Sequence, residues 1–175
     1  MNRKRMVNGT VIVMFAAVLM IAASGCGTVQ HNLDLQQDYL PKSGAKVEVG
    51  NVLNKTGQTF DVPVEDMLKK ALVDAFLEAN LAGSGSEASN LMTNCRIVNY
   101  EKGDAFKRWL MPGWGATELT IQCDLLDAGS VVGTINAMRT VTAGGGYTIG
   151  AWEKVFAHIA SDVAEDIKGK FAAVK

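Results

Sequence analysis

Three cysteines are the residues of this chain whose type and spacing suggest chemistry, because a thiol can join a second thiol, bind a metal or take a covalent group. Cys26 ends the most apolar run of the sequence, whereas Cys95 and Cys123 lie in two segments of alternating apolar and polar residues, 90–100 and 116–126. If these segments pair symmetrically as antiparallel strands, Cys95 faces Cys123 directly, with β-carbons ~4.5–5.5 Å apart. A disulfide is one interpretation, and two small buried hydrophobic side chains are the other. Without a CxxC spacing or a nearby histidine the thiols do not predict a zinc site, and we expect no metal and no cofactor.

A histidine, a serine and an acid occur close together at His158, Ser161 and Asp162, but their spacing does not predict catalysis. All three fall on one predicted helix, which does not align a nucleophile, a base and an orienting acid in a relay. We expect His158 and Asp162, four residues apart, to form a surface pair. Residues 144–147, GGGY, precede the same helix and lack the phosphate-loop pattern, so we interpret them as a flexible connection rather than an anion site.

The start of the chain has the layout of an export signal. Arg3, Lys4 and Arg5 precede residues 11–23, VIVMFAAVLMIAA, which contain no polar side chain. This run makes a helix of roughly 20 Å at ~1.5 Å per residue, short of the ~30 Å hydrocarbon core of a bilayer. A basic head, a short apolar stretch and small residues predict a removable signal over residues 1–25. An uncleaved membrane anchor is the alternative.

Residues 23–26, Ala-Ser-Gly-Cys, resemble the lipobox of bacterial lipoproteins. In that family the cysteine is acylated and becomes the mature N-terminus, so the resemblance implies that Cys26 is the lipid attachment site and that the membrane holds the protein. Several acyl chains, at ~0.8 kcal/mol per buried methylene, anchor a protein far better than one. Gly27 stands where the family uses Asp for retention in the inner membrane, so the resemblance implies the outer membrane, facing the periplasm. That compartment is oxidising, which permits a disulfide.

Removal of the signal would leave residues 26–175, the length of one ordinary domain. Three of the 17 basic residues lie in the signal, so 14 remain against 18 acids, a formal charge of −4 (14 − 18). This acidic balance argues against a nucleic-acid partner, because Lys and Arg supply the affinity for a phosphate backbone. Residues 26–44 are polar and lack clear periodicity, so we expect a flexible tether before a single periplasmic domain over residues 45–175.

Hydrophobic periodicity predicts an α+β domain with the element order β-α-β-β-β-α. The predicted elements are a strand at 45–53, a helix at 63–81, strands at 90–100, 116–126 and 131–141, and a helix from about residue 151. Each helix has one apolar stripe, so we expect both to pack on one face of a small mixed four-stranded sheet. The last three strands should form an antiparallel meander. The first strand and helix should make a right-handed crossover if that strand is parallel to its neighbour.

The connection over residues 104–116 concentrates aromatic, apolar and basic residues. Its members are Phe106, Lys107, Arg108, Trp109, Leu110, Met111 and Trp114. Tryptophan is typical both of protein hot spots and of lipid interfaces, so we predict a contact for a partner or a membrane. Lys107 and Arg108 would meet phosphates or a ring face there. The alternative is that the segment folds back over the sheet and completes the core of a small domain.

The domain resembles the bacterial lipoproteins grouped as domain of unknown function 4410. The likeness is carried by the lipobox, by residues 100–129, YEKGDAFKRWLMPGWGATELTIQCDLLDAG, and by the glycine-rich segment before the last helix. The matching positions are Arg108, Gly113, Gly115 and Asp127. The resemblance covers about residues 45–170 and implies no activity. The architecture is also similar to small periplasmic lipoprotein domains that help assemble envelope machines or stimulate peptidoglycan synthases, a likeness of fold alone.

Together these inferences give one functional prediction and two alternatives. We expect an outer-membrane lipoprotein that acts in the periplasm as a non-enzymatic binding or assembly module of the cell envelope, with an envelope protein as partner and residues 109–114 as the contact. The first alternative is a small periplasmic enzyme whose paired carboxylates converge in space without a sequence signal. The second is a purely structural lipoprotein of the envelope.

Overall fold

The computed structural model describes residues 28–42, 44–83, 90–111, 114–142 and 150–172. The predicted signal, Cys26, Gly113 and the glycine run at 144–147 lie outside the described residues. No helix in the described ranges is both long and apolar enough to span a bilayer.

The described residues form one five-stranded mixed sheet and three helices. The elements are β1 (Val29–Leu35), β2 (Lys46–Asn54), α1 (Val64–Glu78), β3 (Asn90–Glu101), α2 (Ala105–Leu110), β4 (Thr117–Asp127), β5 (Ser130–Val141) and α3 (Ala151–Ala172). The strands lie in the order β1-β5-β4-β3-β2, with β2 parallel to β3 and the other neighbours antiparallel. The α+β class and the predicted elements from β2 to α3 are confirmed. The predictions of four strands and two helices are wrong, because β1 and the short helix α2 were missed.

Strand β1 lies in the segment that was predicted to be a flexible tether. It pairs with β5 along its whole length, and Leu33 lies opposite Ile135. Leu33 is fully buried, whereas the four residues before it are exposed. Backbone hydrogen bonds to β5 therefore hold this edge strand in place more than burial of an apolar face does. Because only one side chain is fully buried, the sequence shows no alternation of apolar and polar residues here. The prediction of a tether is wrong for Val29–Leu35.

The central strands form the predicted meander. β3, β4 and β5 follow one another in antiparallel order. Cys95 lies opposite Cys123 and Ile97 opposite Ile121, so the predicted register is confirmed. Helix α1 begins directly after Pro63, whose missing N–H would be unpaired at a helix start. This helix connects β2 to its parallel neighbour β3, since parallel strands need a long crossover rather than a tight turn.

The two long helices cover the same face of the sheet, as predicted. α1 packs against β2, α3 packs against β1, β4 and β5, and the helices contact each other. The buried residues of this layer include Leu119, Ile121, Cys123 and Leu125 of β4 and Val155, Phe156, Ile159, Val163 and Ile167 of α3. Each large apolar side chain buried here contributes about 1.5–3 kcal/mol of transfer free energy. The packing of this face is the main stabilising contribution to the sheet.

One end of the sheet brings together segments that are distant in sequence. Because β5 is antiparallel to both β1 and β4, it ends where those two strands begin. The amide of Thr140 donates to the carbonyl of Thr28 (2.9 Å), and Val141 lies opposite Thr117. β3 also ends here, so the β3–β4 connection that contains α2 lies at the same edge. We call this edge the α2 end of the sheet.

Candidate functional site

Helix α2 and the residues after it turn large apolar side chains outward. Five of them are 50–68% exposed and form what we call the apolar cluster: Phe106, Trp109, Leu110, Met111 and Trp114. The alternative prediction that this segment completes the core is therefore wrong. The ring centroids of Phe106 and Trp109 are 6.0 Å apart, and Lys107 Nζ lies 6.0 Å from the ring centroid of Trp114. Large exposed apolar patches mark interaction sites on proteins.

Arg108 points in the opposite direction, into the protein. Its side chain is only 3% exposed, and Nη1 donates to the carbonyl of Gly115 (2.7 Å) and to Oγ1 of Thr117 (2.8 Å). That hydroxyl donates in turn to the carbonyl of Lys102 (2.8 Å). Burial lowers the pKa of Arg108, because loss of water disfavours the charged form. The prediction that Arg108 meets a partner is wrong, since its guanidinium ties the two ends of the segment together.

Asp104 begins α2 and closes the segment from the other side. Its Oδ1 accepts hydrogen bonds from the amides of Phe106 (2.9 Å) and Lys107 (3.0 Å), which are left open at a helix start. These bonds, first that from Lys107, lower the pKa of Asp104 because they favour its charged form. The amide of Asp104 donates to the carbonyl of Gly115 (2.9 Å). The bonds of Asp104 and Arg108 to the carbonyl of Gly115 thus bring the two ends of the segment together.

Two glycines permit this closure. Gly103 and Gly115 have φ angles of +68° and +72°, in the left-handed region that side chains disfavour. A β-carbon at Gly103 would clash with the carbonyl oxygen of Ala116, and one at Gly115 would lie 2.7 Å from Cβ of Lys107. The backbone passes too close to itself for a larger residue at either place. The apolar cluster is therefore carried on a positioned backbone.

Asp127, another position matched to the family, lies at the opposite end of β4. Its carboxylate accepts a hydrogen bond from the hydroxyl of Tyr39 (3.0 Å). Burial and then this hydrogen bond raise the pKa of Tyr39 to about 12. Tyr39 follows β1 in the segment predicted to be a tether, so this contact fastens that segment to the β4–β5 turn. Asp127 has a structural role here rather than a place beside the apolar cluster.

Lys102 links the β2–α1 loop to the start of α3 at the α2 end, a role that the sequence did not reveal. Its Nζ binds the carboxylate of Asp61 at 2.9 Å and lies 4.8 Å from the ring centroid of Trp152. The hydrogen bond from Lys102 lowers the pKa of Asp61. Exposed ion pairs contribute little to stability. These contacts of Lys102 orient the segments around α2 more than they stabilise the domain.

Asp162, which was predicted to pair with His158, instead binds Arg139 of β5. The guanidinium donates from Nε to Oδ2 (2.6 Å) and from Nη2 to Oδ1 (2.7 Å), a strong bidentate arrangement that raises the pKa of Arg139. Desolvation, followed by the charge of Arg139, lowers the pKa of His158. On β1, His31 Nδ1 lies 2.9 Å from Asp166 Oδ1 of α3. Asp162 and Asp166 thus connect α3 to β5 and to β1, respectively.

A disulfide joins Cys95 of β3 to Cys123 of β4. Both cysteines are fully buried, so the bond crosslinks neighbouring strands inside the core. Of the two interpretations of this pair, the structure therefore agrees with a disulfide and not with two free thiols. Among the residues that the structure describes, no three His, Cys, Asp or Glu side chains form a group that could hold a metal ion.

A groove between α1 and α3, of about 500 Å³, is one place where an acid pair could serve catalysis. Its lining includes the carboxylates of Asp74, Glu78 and Glu153. All three side chains are exposed, and Asp74 binds Lys70 at 2.6 Å. Catalytic acids are usually tuned by burial or by a close like charge, whereas these carboxylates remain solvated. We base no catalytic assignment on this groove.

Solved structures show a similar fold in proteins of very different sequence. The PelC dodecamer from Paraburkholderia phytofirmans is 11% identical with a TM-score of 0.51, covering 81% of this chain and 97% of the PelC chain. A single-residue variant of that dodecamer is 14% identical with the same TM-score of 0.51, at 79% and 97% coverage. Protein XCC0632 from Xanthomonas campestris, of the DUF330 family, is 14% identical with a TM-score of 0.52, at 81% and 94% coverage. At these identities the likeness concerns the fold alone.

The family model described as "Domain of unknown function (DUF4410)" matches residues 42–145. No curated protein matches the chain. The matched range begins just before β2, ends just after β5, and includes the whole of residues 104–116. Because this match spans more than half of the 175 residues, the chain belongs to the DUF4410 family.

Proposed function

We propose that the protein is a lipoprotein anchored in the outer membrane through acylated Cys26, and that it acts in the periplasm as a non-enzymatic binding or assembly module. The apolar cluster is the surface with which it contacts another component of the envelope. The lipobox at residues 23–26 and membership of the DUF4410 family support the anchor. The exposed side chains of α2 support the contact.

The observation that carries the proposal is an exposed apolar cluster on a fixed backbone. Fully burying a side chain of this kind gains ~1.5–3 kcal/mol. Five such side chains at roughly 60% exposure leave roughly 5–9 kcal/mol of transfer free energy unrealised in the isolated domain. The bonds of Arg108 and the cap at Asp104 already order the segment, so a contact loses little conformational entropy.

Two alternatives make different predictions about the same surface. A small periplasmic enzyme would need a cleft of its own and would keep its activity when the apolar cluster is removed. A purely structural lipoprotein would likewise tolerate loss of the cluster as long as the fold and the anchor remain. The proposed binding module loses its function with the cluster.

Photo-crosslinking in intact cells tests the contact. A photoreactive amino acid replaces Trp109 of the cluster, which is 67% exposed, or Leu77 of α1, which is 61% exposed and serves as the matched control. We expect an adduct with an envelope component from position 109 and none from position 77. With the photoreactive amino acid at Leu110, which is 55% exposed, Trp109→Ser combined with Trp114→Ser should abolish the adduct while circular dichroism shows an intact fold.

Other outcomes count against the proposal or define the contact. Equal adducts from both positions, or none from either, would contradict a specific contact surface. Unfolding of the double serine variant would mean that the two tryptophans stabilise the core. An adduct with a second copy of this chain would identify self-assembly as the contact, an arrangement that PelC, with its similar fold, has as a dodecamer. Intact-mass measurement of the same protein tests acylation of Cys26 separately.

A further inference from the structure

We propose that the component covered by the apolar cluster is the lipid bilayer itself, in the leaflet that holds the anchor. This inference rests on the proposed function, because it takes Cys26 to be acylated. The α2 end of the sheet then faces the membrane. The side chains of the apolar cluster lie among the headgroups and the first part of the acyl chains.

First, β1 begins at the same end of the sheet as the apolar cluster. The carbonyl of Thr28 accepts from the amide of Thr140 (2.9 Å), Val141 lies opposite Thr117, and Arg108 of α2 donates to the hydroxyl of Thr117 (2.8 Å). Two strand spacings of ~4.8 Å separate β1 from β4. Thr28 therefore lies roughly 10 Å from Thr117, the residue of β4 that Arg108 of α2 binds.

The second step is the length of chain between the sheet and the lipid. Only Gly27 stands between Cys26 and Thr28, and an extended chain advances at most ~3.6 Å per residue, so covalent geometry keeps Cys26 within about 7 Å of Thr28. The predicted tether up to residue 44 would instead give a root-mean-square reach of about 24 Å and let the domain turn freely. Because β1 belongs to the sheet, the anchor and the cluster are confined to the same end of the domain.

The third step is that the composition of α2 suits a lipid interface. Tryptophan is enriched where bilayers meet water, with its ring at headgroup level, and the cluster holds Trp109 and Trp114. Exposed Lys107 can reach lipid phosphates while its methylenes stay with the apolar side chains. Arg108 is turned inward, and Ala105–Leu110 contains no acid. The helix residues therefore bring no carboxylate to the interface, and the carboxylate of the N-cap, Asp104, accepts hydrogen bonds from the amides of Phe106 and Lys107.

Quenching of tryptophan fluorescence by brominated lipids tests the inference. The full-length protein is reconstituted into vesicles of phosphatidylethanolamine and phosphatidylglycerol, with or without bromine on the acyl chains. Trp114→Phe combined with Trp152→Phe leaves Trp109 as the reporter, since the chain has three tryptophans. The control carries Leu77→Trp in a chain whose three native tryptophans are replaced by Phe.

Position 77 is a matched control because its exposure is similar and its location is different. Leu77 is 61% exposed against 67% for Trp109. It lies near the C-terminal end of α1, just before Leu81, whose carbonyl accepts from the amide of Val47 at the start of β2. That strand runs parallel to β3, so its start lies at the end of the sheet opposite α2.

We expect brominated lipid to lower the fluorescence of Trp109 by about half or more and to leave the Leu77→Trp control nearly unchanged. Quenching of Trp109 no stronger than that of the control, in protein whose mass shows an acylated Cys26, overturns the inference and leaves the anchor standing. An unmodified Cys26 overturns the anchor and the inference together. Weak quenching of Trp109 alongside a protein adduct from position 109 in cells would assign the cluster to a protein partner and also overturn the inference.

Discussion

Replacing Arg108 by methionine is the sharpest test of how the apolar cluster is positioned. Arg108→Met keeps an unbranched side chain but removes the donor to Gly115 and Thr117. Arg108 is the buried residue of α2, so the helix has little other attachment to the core. We therefore expect the variant to loosen residues 104–116 while the five-stranded sheet stays folded.

The magnitude follows from the two lost hydrogen bonds. Bonds from a charged donor contribute about 1.5–3 kcal/mol each, which gives a gross loss of roughly 3–6 kcal/mol. The native guanidinium has already lost part of its hydration, because Arg108 is only 3% exposed, and removing it recovers that cost. A net loss of about 2–4 kcal/mol in the free energy of local opening remains. At ~1.4 kcal/mol per decade this corresponds to amide exchange roughly 30–700 times faster.

Hydrogen exchange measured by mass spectrometry on peptides covering residues 104–117 reports this opening. The relevant amides include those of Arg108 and Met111, which donate within α2 to Asp104 (3.0 Å) and Lys107 (3.1 Å). Lys107→Met is the matched control, because it removes an exposed cation from the same helix and should change stability by less than ~0.5 kcal/mol. Exchange that accelerates less than about threefold, or equally in both variants, would refute the positioning role of Arg108.

Three further predictions concern the rest of the structure. Reduction of the Cys95–Cys123 disulfide should lower the free energy of unfolding by about 3–4 kcal/mol, measured by urea titration with and without reductant, because the bond spans 28 residues. Asp162→Ala should lower the same free energy by about 3 kcal/mol, because Arg139 loses its acid, whereas Arg139→Met combined with Asp162→Leu should restore it to near the native value. The pKa of Asp104 in the folded state lies below the ordinary 3.8, so its stabilising effect on α2 is complete above that pH and is lost as the pH falls through the folded-state value. Asp104→Asn, which still caps a helix, should remove this acid-dependent loosening, as followed by tryptophan fluorescence.

Each of these predictions has a result that contradicts it. Coincident urea curves with and without reductant would mean that the disulfide does not constrain the unfolded chain. A double variant at the ion pair as unstable as Asp162→Ala would mean that the acid acts through packing rather than through charge. Identical acid titrations for the native protein and Asp104→Asn would mean that another group loosens α2.

The sequence predicted the elements that bury a periodic apolar face. Helices α1 and α3 and strands β2 to β5 were found because burial of one face imposes a repeat on the sequence. The sequence also predicted that Cys95 lies opposite Cys123. This was possible because β3 and β4 are consecutive strands that pair about the midpoint of their connection. The predicted helices, strands and cysteine pair all depend on residues that are close in sequence or that lie on one face of a single helix or strand.

The features that were missed depend on contacts without a repeat. β1 has one fully buried residue, Leu33, and is held by a strand about a hundred positions away. α2 has six residues and faces its apolar side chains outward, so no helical pattern was visible, although Asp104 is a typical helix start that could have indicated it. Arg108 was predicted to meet phosphates or a ring face at the surface, whereas it is buried. Nothing local indicates that its partners, Gly115 and Thr117, lie on the far side of the loop.

The pairing of β1 with β5 also sets an order of events during synthesis of the chain. The chain emerges from its N-terminus, so β1 arrives first and its partner, Ser130–Val141, arrives nearly last. Until then Val29–Leu35 has no neighbour in the sheet, because β1 is an edge strand that pairs with β5 alone. In the proposed export of the chain, cleavage ahead of Cys26 would precede the entry of β1 into the sheet. Docking of β1 is the step that completes the five-stranded sheet.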